Sequence, residues 1–285
     1  MFKQKIKYFW QEARPHQWIK NLLLFVPLIF AQKLFKDGLL WHTILSFIAF
    51  SLTASSVYVL NDLIDLRYDK LHPHKSGRPL AAGKIKISEA KILFIILLIL
   101  GLTLSLLISR KLFFILIFYF LLNLIYSSYF KKLVIIDLIA VAVMYLIRLY
   151  AGAVVINVSI SSWLLLTALM GAFFIVTGRR RSEILLNNSD DLKTRGILTQ
   201  YSVIFLDYLI IMSSMASLIF YALYSMTHGS LFIWSILFVV YVLFRYLWLI
   251  FVKGQGEEPE KLIIQDKPIF YTLILWMIFI VLALY

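Results

Sequence analysis

The chain contains no cysteine, which excludes disulfides and thiolate metal sites. Charge is scarce too: Asp, Glu, Lys and Arg make up 15% of its 285 residues, against about 25% in an ordinary soluble domain. With 16% aromatics and a mean hydropathy of +0.88, the composition is that of an integral membrane protein. No uninterrupted apolar run occurs before residue 21, so the N-terminus MFKQKIKYFWQEARPHQWIKN does not read as a cleavable signal peptide. Its alternation of basic and aromatic residues suits an amphipathic helix lying on the membrane surface over residues 1–20.

Apolar runs of membrane-crossing length are marked at 21–35, 40–60, 90–108, 112–130, 133–156, 160–178, 203–225, 231–252 and 269–285. The sequence therefore predicts an all-α membrane protein of nine spans, the first being the shortest and interrupted by Pro27. Basic residues stay on the cytoplasmic side of short loops. On the odd-numbered connections the only Lys or Arg are Lys33, Lys36, Arg110 and Lys111, so the N-terminus is placed inside and the C-terminus outside. Acids are missing from the same outer side, where Asp37 stands alone. Positive-inside bias explains the basic residues but not the acids, which need a chemical reason to gather at one face.

The densest polar stretch is NDLIDLRYDKLHPHKSGRPLAAGK, 61–84. If the second span continues as a helix, Asn61, Asp62, Asp65 and Asp69 share one face about 100° wide. Three carboxylates so close repel unless a cation lies among them. Oxygen-only donors favour a hard ion, and Mg2+ characteristically joins a few carboxylates to substrate phosphates. Solvated acids paired with Arg67, Lys70 and Lys75 are the plain alternative, but phosphate-binding cations follow directly: Lys75, Arg78 and Lys84. Arg78 has the two-pronged fork that grips phosphate. His72 and His74 read as interfacial loop residues.

Two further ions interrupt apolar runs, Asp137 and Arg148, each costing about 2.5–3.5 kcal/mol at a span's centre. They lie within about 20° around the helix and about 16 Å apart along it, which a polar cavity down one face would accommodate; separate pairing with neighbouring helices is the alternative. Asp137 is a candidate second acidic pole, with Tyr126 and Lys131 nearer the cytoplasm. In GRRRSEILLNNSDDLKTRG, Glu183 follows Arg180 at helical spacing and can orient it or bind a ribose hydroxyl. Asp190 and Asp191 read as solvated loop acids. Arg245 lies beside Tyr246 and Trp248, where aromatic stacking and a lipid phosphate suit it equally.

NDxxDxxxD followed by HPxKxxRP resembles the first aspartate-rich motif of the UbiA superfamily of intramembrane prenyltransferases. RPHQWIKN (14–21), YSSYFKKLVIID (126–137), RLYAGA (148–153), GRRRSE (178–183), TRGILTQY (194–201) and EEPEKLIIQD (257–266) resemble its decaprenyl-phosphate phosphoribosyltransferase branch. The chain departs from that branch in having Arg179 before Arg180 in place of lysine, an extra Arg181, and Phe130 where leucine is expected. The resemblance implies one domain over 1–285, with nine helices around a cytoplasm-facing polar cavity and active-site loops at about 61–89, 179–202 and 253–268. It also implies a prokaryotic plasma membrane, Mg2+ as cofactor, phosphoribosyl pyrophosphate and a polyprenyl phosphate as substrates, and no nucleic-acid partner. By the same resemblance Asn61, Asp62, Asp65 and Asp69 hold the metal. Asp62, Asp65 and Asp137 carry catalysis, and Lys20, Lys75, Arg78, Lys84, Tyr126, Lys131, Arg148, Arg179, Arg180 and Glu183 bind substrate. Aromatic prenylation for quinone or haem synthesis would use the same diphosphate machinery; a transporter is disfavoured because the two halves show no similarity.

Overall fold

A computed structural model describes residues 2–71, 75–186 and 197–285, and the described residues contain helices and no strand. Helix α1 (Phe2–Ala13) is followed by a 3-10 segment, Pro15–Phe25, and the short α2 (Val26–Phe30). The long elements are α3 (Leu39–Ile64), α5 (Ile87–Ile108), α6 (Arg110–Ser128), α7 (Ile136–Val155), α8 (Ser162–Leu186), α9 (Val203–Met226), α10 (Ile236–Phe251) and α12 (Lys267–Leu284). Short helices α4 (Leu66–Leu71) and α11 (Pro259–Gln265) sit in the connections.

Among the described residues, eight helices are long and apolar enough to cross a membrane. The expected first span, 21–35, is not one of them. Pro15 and Pro27 lack the N–H that an α-ladder needs, and the chain between them winds as a 3-10 helix that ends in five residues of α-helix. This irregular segment lies against α7, where Gly152 allows the approach: a Cβ there would stand 2.1 Å from the carbonyl oxygen of Leu24.

Helix α7 is the axis of the bundle, packing on the 3-10 segment, α3, α6 and α8. One core gathers Leu24, Phe50, Leu112, Leu116, Tyr119 and Ile147 between α3, α6 and α7. Another, at the end of the bundle where α2 and α12 finish, joins Phe30, Tyr221, Tyr224, Phe232 and Ile280. The opposite end is polar, because α3, α6, α8 and α10 end there and α5, α7, α9 and α12 begin there. Helix α1 lies across this end with Trp10 exposed, held by Lys5 Nζ to Glu89 Oε1 at 2.5 Å.

Gly152→Ala would drive a methyl into backbone, an overpacking that costs typically 1–3 kcal/mol. It is expected to lower the thermal midpoint in detergent by several degrees, whereas Gly77→Ala, with nothing within 4 Å, leaves it unchanged.

Candidate active site

Helix α3 carries Asn61 and Asp62 in its last turn, then breaks at Asp65, whose φ of −89° and ψ of 8° turn the chain into α4. The break corrects the continuous-helix expectation: the acids do not share one uninterrupted face. Asp62 and Asp69, each 4% exposed, converge on one guanidinium nitrogen, Arg78 Nη1, at 2.9 and 2.5 Å. Asp65 is turned to Lys131 at 3.3 Å, and the Asn61 amide oxygen accepts from Ser127 Oγ at 2.7 Å. Among the described residues no three His, Cys, Asp or Glu side chains are grouped to hold a metal. The donor set nevertheless fits Mg2+ in the form that ion prefers, one or two carboxylates with substrate phosphates and water completing the shell.

Arg14, which the sequence reading passes over, is the second cation on Asp62. Its Nη2 bonds both carboxylate oxygens, at 2.5 Å to Oδ1, and its guanidinium lies 5.5 Å from the Tyr58 ring centre. The residue occupies the left-handed region, φ 52° and ψ 57°, at the junction of α1 with the 3-10 segment, and Pro15 follows it. An arginine in a basic N-terminus has an ordinary topological explanation, so only its place before Pro15 could have singled it out. Glu12, also passed over, is 1% exposed. Its Oε2 accepts the Leu80 N–H at 3.2 Å, which ties α1 to the loop bearing Arg78, while Oε1 has no hydrogen-bond partner. Burial, and then the nearby Asp62 charge, push its carboxyl up to about 7.

A second polar group forms where α6, α7 and α8 meet. Asp137 is fully buried, in the first turn of α7 and so at the end of the span rather than within it, where the helix N-terminus favours an anion. Arg180 Nε donates to its Oδ2 at 3.0 Å and the Tyr201 hydroxyl to its Oδ1 at 2.5 Å. That hydroxyl also accepts the Ile135 N–H at 2.7 Å. Ile135 has φ 68°, a conformation that is an outlier for a β-branched residue and needs support from its surroundings. Burial, followed by the bond to Asp137, raises the Tyr201 pKa above its ordinary value. Arg180 further meets Glu183 Oε2 at 2.6 Å and the Tyr126 hydroxyl at 3.3 Å, and Arg179 meets Glu183 Oε1 at 3.2 Å.

The remaining predicted residues are dispersed. Arg148, one of the ions in α7, donates to Asn21 Oδ1 at 2.8 Å, the Met144 carbonyl at 2.5 Å and the Tyr119 hydroxyl at 2.9 Å, so it fastens the 3-10 segment to α7. It and Asp137 are each paired with neighbouring elements, as the alternative reading of these ions had it. Lys84 lies over the Tyr8 ring at 5.3 Å, toward α1. Lys20 pairs with Glu260. Arg245 stacks 4.5 Å from the Trp248 ring centre and pairs at 2.9 Å with Asp266, the residue that caps α12. Lys75 is half-buried in the loop that carries Arg78. His72, His74, Asp190, Asp191 and the start of TRGILTQY lie outside the described residues.

The model of the UbiA prenyltransferase family matches residues 22–274. The chain belongs to the UbiA prenyltransferase family. Within it, the chain is 30% identical to a decaprenyl-phosphate phosphoribosyltransferase of Corynebacterium glutamicum over 95% of this chain and 85% of that one. It is 28% identical to a decaprenyl-phosphate phosphoribosyltransferase of Mycobacterium tuberculosis over 92% and 89%. A UbiA homologue from Archaeoglobus fulgidus bound to GPP and Mg2+ superposes with a TM-score of 0.76 at 18% identity, covering 97% of this chain and 99% of that one; at that identity the likeness shows the fold alone.

Tyr201→Phe would leave the Ile135 N–H and one Asp137 oxygen without their shared partner. A buried group stripped of its bond costs about 1–3 kcal/mol. Unfolding in detergent is expected to show a loss of that size, and an unchanged midpoint would mean that the hydroxyl does not hold this corner.

Proposed function

We propose that the protein is a Mg2+-dependent UbiA-type transferase, one domain over 1–285, that moves the 5-phosphoribosyl group of phosphoribosyl pyrophosphate onto a polyprenyl phosphate. The bond from C1 of the ribose to the diphosphate oxygen breaks, a bond from C1 to an oxygen of the acceptor phosphate forms, and diphosphate leaves. The observation that carries the donor half of this reading is the convergence of Asp62 and Asp69 on Arg78, with Arg14 as a second cation on Asp62. Three carboxylates, Asp62, Asp65 and Asp69, face three cations, Arg14, Arg78 and Lys131, so the local charge is balanced. A divalent ion and a diphosphate arriving together disturb that balance little; either alone disturbs it more.

Asp62 and Asp69 would hold Mg2+, with Asn61 and Asp65 at its margin. The ion, when bound, offsets the charge that builds on the departing diphosphate. Arg78 and Arg14 are placed to exchange a carboxylate for a phosphate, Arg78 through its fork, and Lys75 and Lys84 come from the same loop. Asp137 enters through Arg180: enclosed itself, it fixes the guanidinium beside Tyr126 and Glu183. The second half of the reading rests on relatives that carry the phosphoribosyltransferase name across nearly the whole chain. It also rests on the number of cations at this end, since a donor with a 5-phosphate and an acceptor phosphate asks for more of them than a flat aromatic ring does. The positive-inside pattern supports placing this end and the N-terminus in the cytoplasm of a prokaryotic cell, with the C-terminus outside.

Purified protein in detergent with Mg2+, phosphoribosyl pyrophosphate labelled in the ribose and a polyprenyl phosphate is expected to move label into the organic phase. EDTA abolishes the transfer, and Asp62→Asn reduces it at least about a hundredfold, roughly 2.7 kcal/mol of barrier. Prenyl diphosphate turnover with a hydroxybenzoate acceptor, and none with the labelled donor, would replace the reading with aromatic prenylation.

A further inference from the structure

Two buried acids at the polar end, Glu12 and Glu260, take no part in the scheme above, and Glu260 lies away from the aspartates. Glu260 is 5% exposed, on α11, a short helix packed against the 3-10 segment. Its position is set by backbone: Gly256 lies so close to α8 that a Cβ would stand 2.5 Å from Ser182 Oγ, which holds the strand of chain leading into α11 against that helix. Glu260 forms an ion pair with Lys20 through Oε1, and that oxygen has no other polar partner. The other acids of this corner are more fully used, Glu183 by Arg179 and Arg180 and Asp137 by Arg180 and Tyr201. Arg179 and the hydroxyls of Tyr145 and Tyr246 lie within electrostatic reach of the Glu260 carboxylate, and the Tyr246 hydroxyl is buried without a partner. Burial acts to raise the Glu260 pKa, but the Lys20 ammonium beside it holds the carboxyl below its usual range; an ionised carboxylate offers about four acceptor sites, more than one lysine fills.

The 3-10 segment links this acid to the aspartate pole. Arg14 precedes it and reaches Asp62; Lys20 lies on it and reaches Glu260. Six residues at about 2.0 Å each set the backbone positions of the two cations roughly 12 Å apart along the segment. That span suits a pentose with a phosphate group at either end. An isoprenoid tail would bring no donor to Glu260, and a buried carboxylate facing hydrocarbon is costly, whereas the free ribose hydroxyls of phosphoribosyl pyrophosphate are donors.

Resting on the donor assigned above, we propose that Glu260 is a specificity-determining residue that accepts a hydrogen bond from a ribose hydroxyl, its Lys20 partner turned to the donor's 5-phosphate. Glu260 thus reads the sugar, while Asp62, Asp69 and the arginines read the diphosphate.

Inorganic pyrophosphate, which has the diphosphate but no ribose, separates the two poles. In the labelled transfer assay, Glu260→Gln is expected to raise KM for phosphoribosyl pyrophosphate roughly ten- to a hundredfold, the range spanned by a hydrogen bond to a charged group. The inhibition constant of pyrophosphate and KM for polyprenyl phosphate should stay within about twofold. The Lys20→Met, Glu260→Gln double variant removes both charges and strands neither, so it guards against misfolding of the single variant, and the same split between phosphoribosyl pyrophosphate and pyrophosphate is expected of it. Equal weakening of the two ligands, or of neither, would overturn the assignment of Glu260. A wild-type protein that moves no ribose label would instead overturn the donor assignment, and this inference with it.

Discussion

The constraint on which the polar end depends is the burial of carboxylates at the edge of an apolar bundle. Asp62 and Asp69 are almost wholly enclosed, and an ionised acid in such a place must be paired. Its cations come from separate parts of the chain: Arg14 from the break after α1, Arg78 from the loop after α4. Satisfying one aspartate therefore fixes the N-terminal helix and that loop against the end of α3. Glu12 reinforces the arrangement by taking the Leu80 N–H. Asp137 does for α7, α8 and the segment before α9 what Asp62 does for α1 and α3, gathering Arg180 and Tyr201 on one buried carboxylate.

Much of this was legible in the residues. Apolar runs located each of the eight long helices among the described residues, and the acids missing from one side marked the polar end of the bundle. NDLIDLRYDK reads as a ligand set if its spacing is taken to stack acids along a helix. What misled there was the break at Asp65, since backbone departure over one residue leaves no periodic trace. Pro27 warned against the first span, yet nothing in the sequence announces eleven residues of 3-10 helix; its close approach to α7 is allowed by a glycine more than a hundred residues away, Gly152. Arg14 and Glu260 lie in stretches that the resemblance marks, RPHQWIKN and EEPEKLIIQD, yet neither is singled out there, for a shared reason. Each sits in a charged stretch that membrane topology already explains, and only its partner across the fold gives it a role. Asp137 and Arg148 looked like ions of one cavity because they share a helix face, but each finds its partners on other elements, 43 residues away in Arg180 and 127 in Asn21.

On the proposed reading, Mg2+-assisted loss of a diphosphate would serve an isoprenoid and a phosphopentose alike. Difference must come from what meets the rest of the donor. In this chain the aspartate pole and the Lys20–Glu260 pair are joined by one short helical segment that Arg148 pins to α7 through Asn21. If both poles meet the donor as proposed, the link between them would make the donor's length and polarity the quantity being measured. Lipid need only present a phosphate at the same mouth.

That claim is tested most directly at equilibrium, without turnover. Labelled phosphoribosyl pyrophosphate is bound to the purified protein in detergent with Mg2+ and competed with pyrophosphate, ribose 5-phosphate and a prenyl diphosphate. The account predicts displacement by pyrophosphate and by ribose 5-phosphate, each occupying one pole, with the prenyl diphosphate no better than pyrophosphate. A prenyl diphosphate that competes far better than pyrophosphate, while ribose 5-phosphate fails to compete, would contradict it.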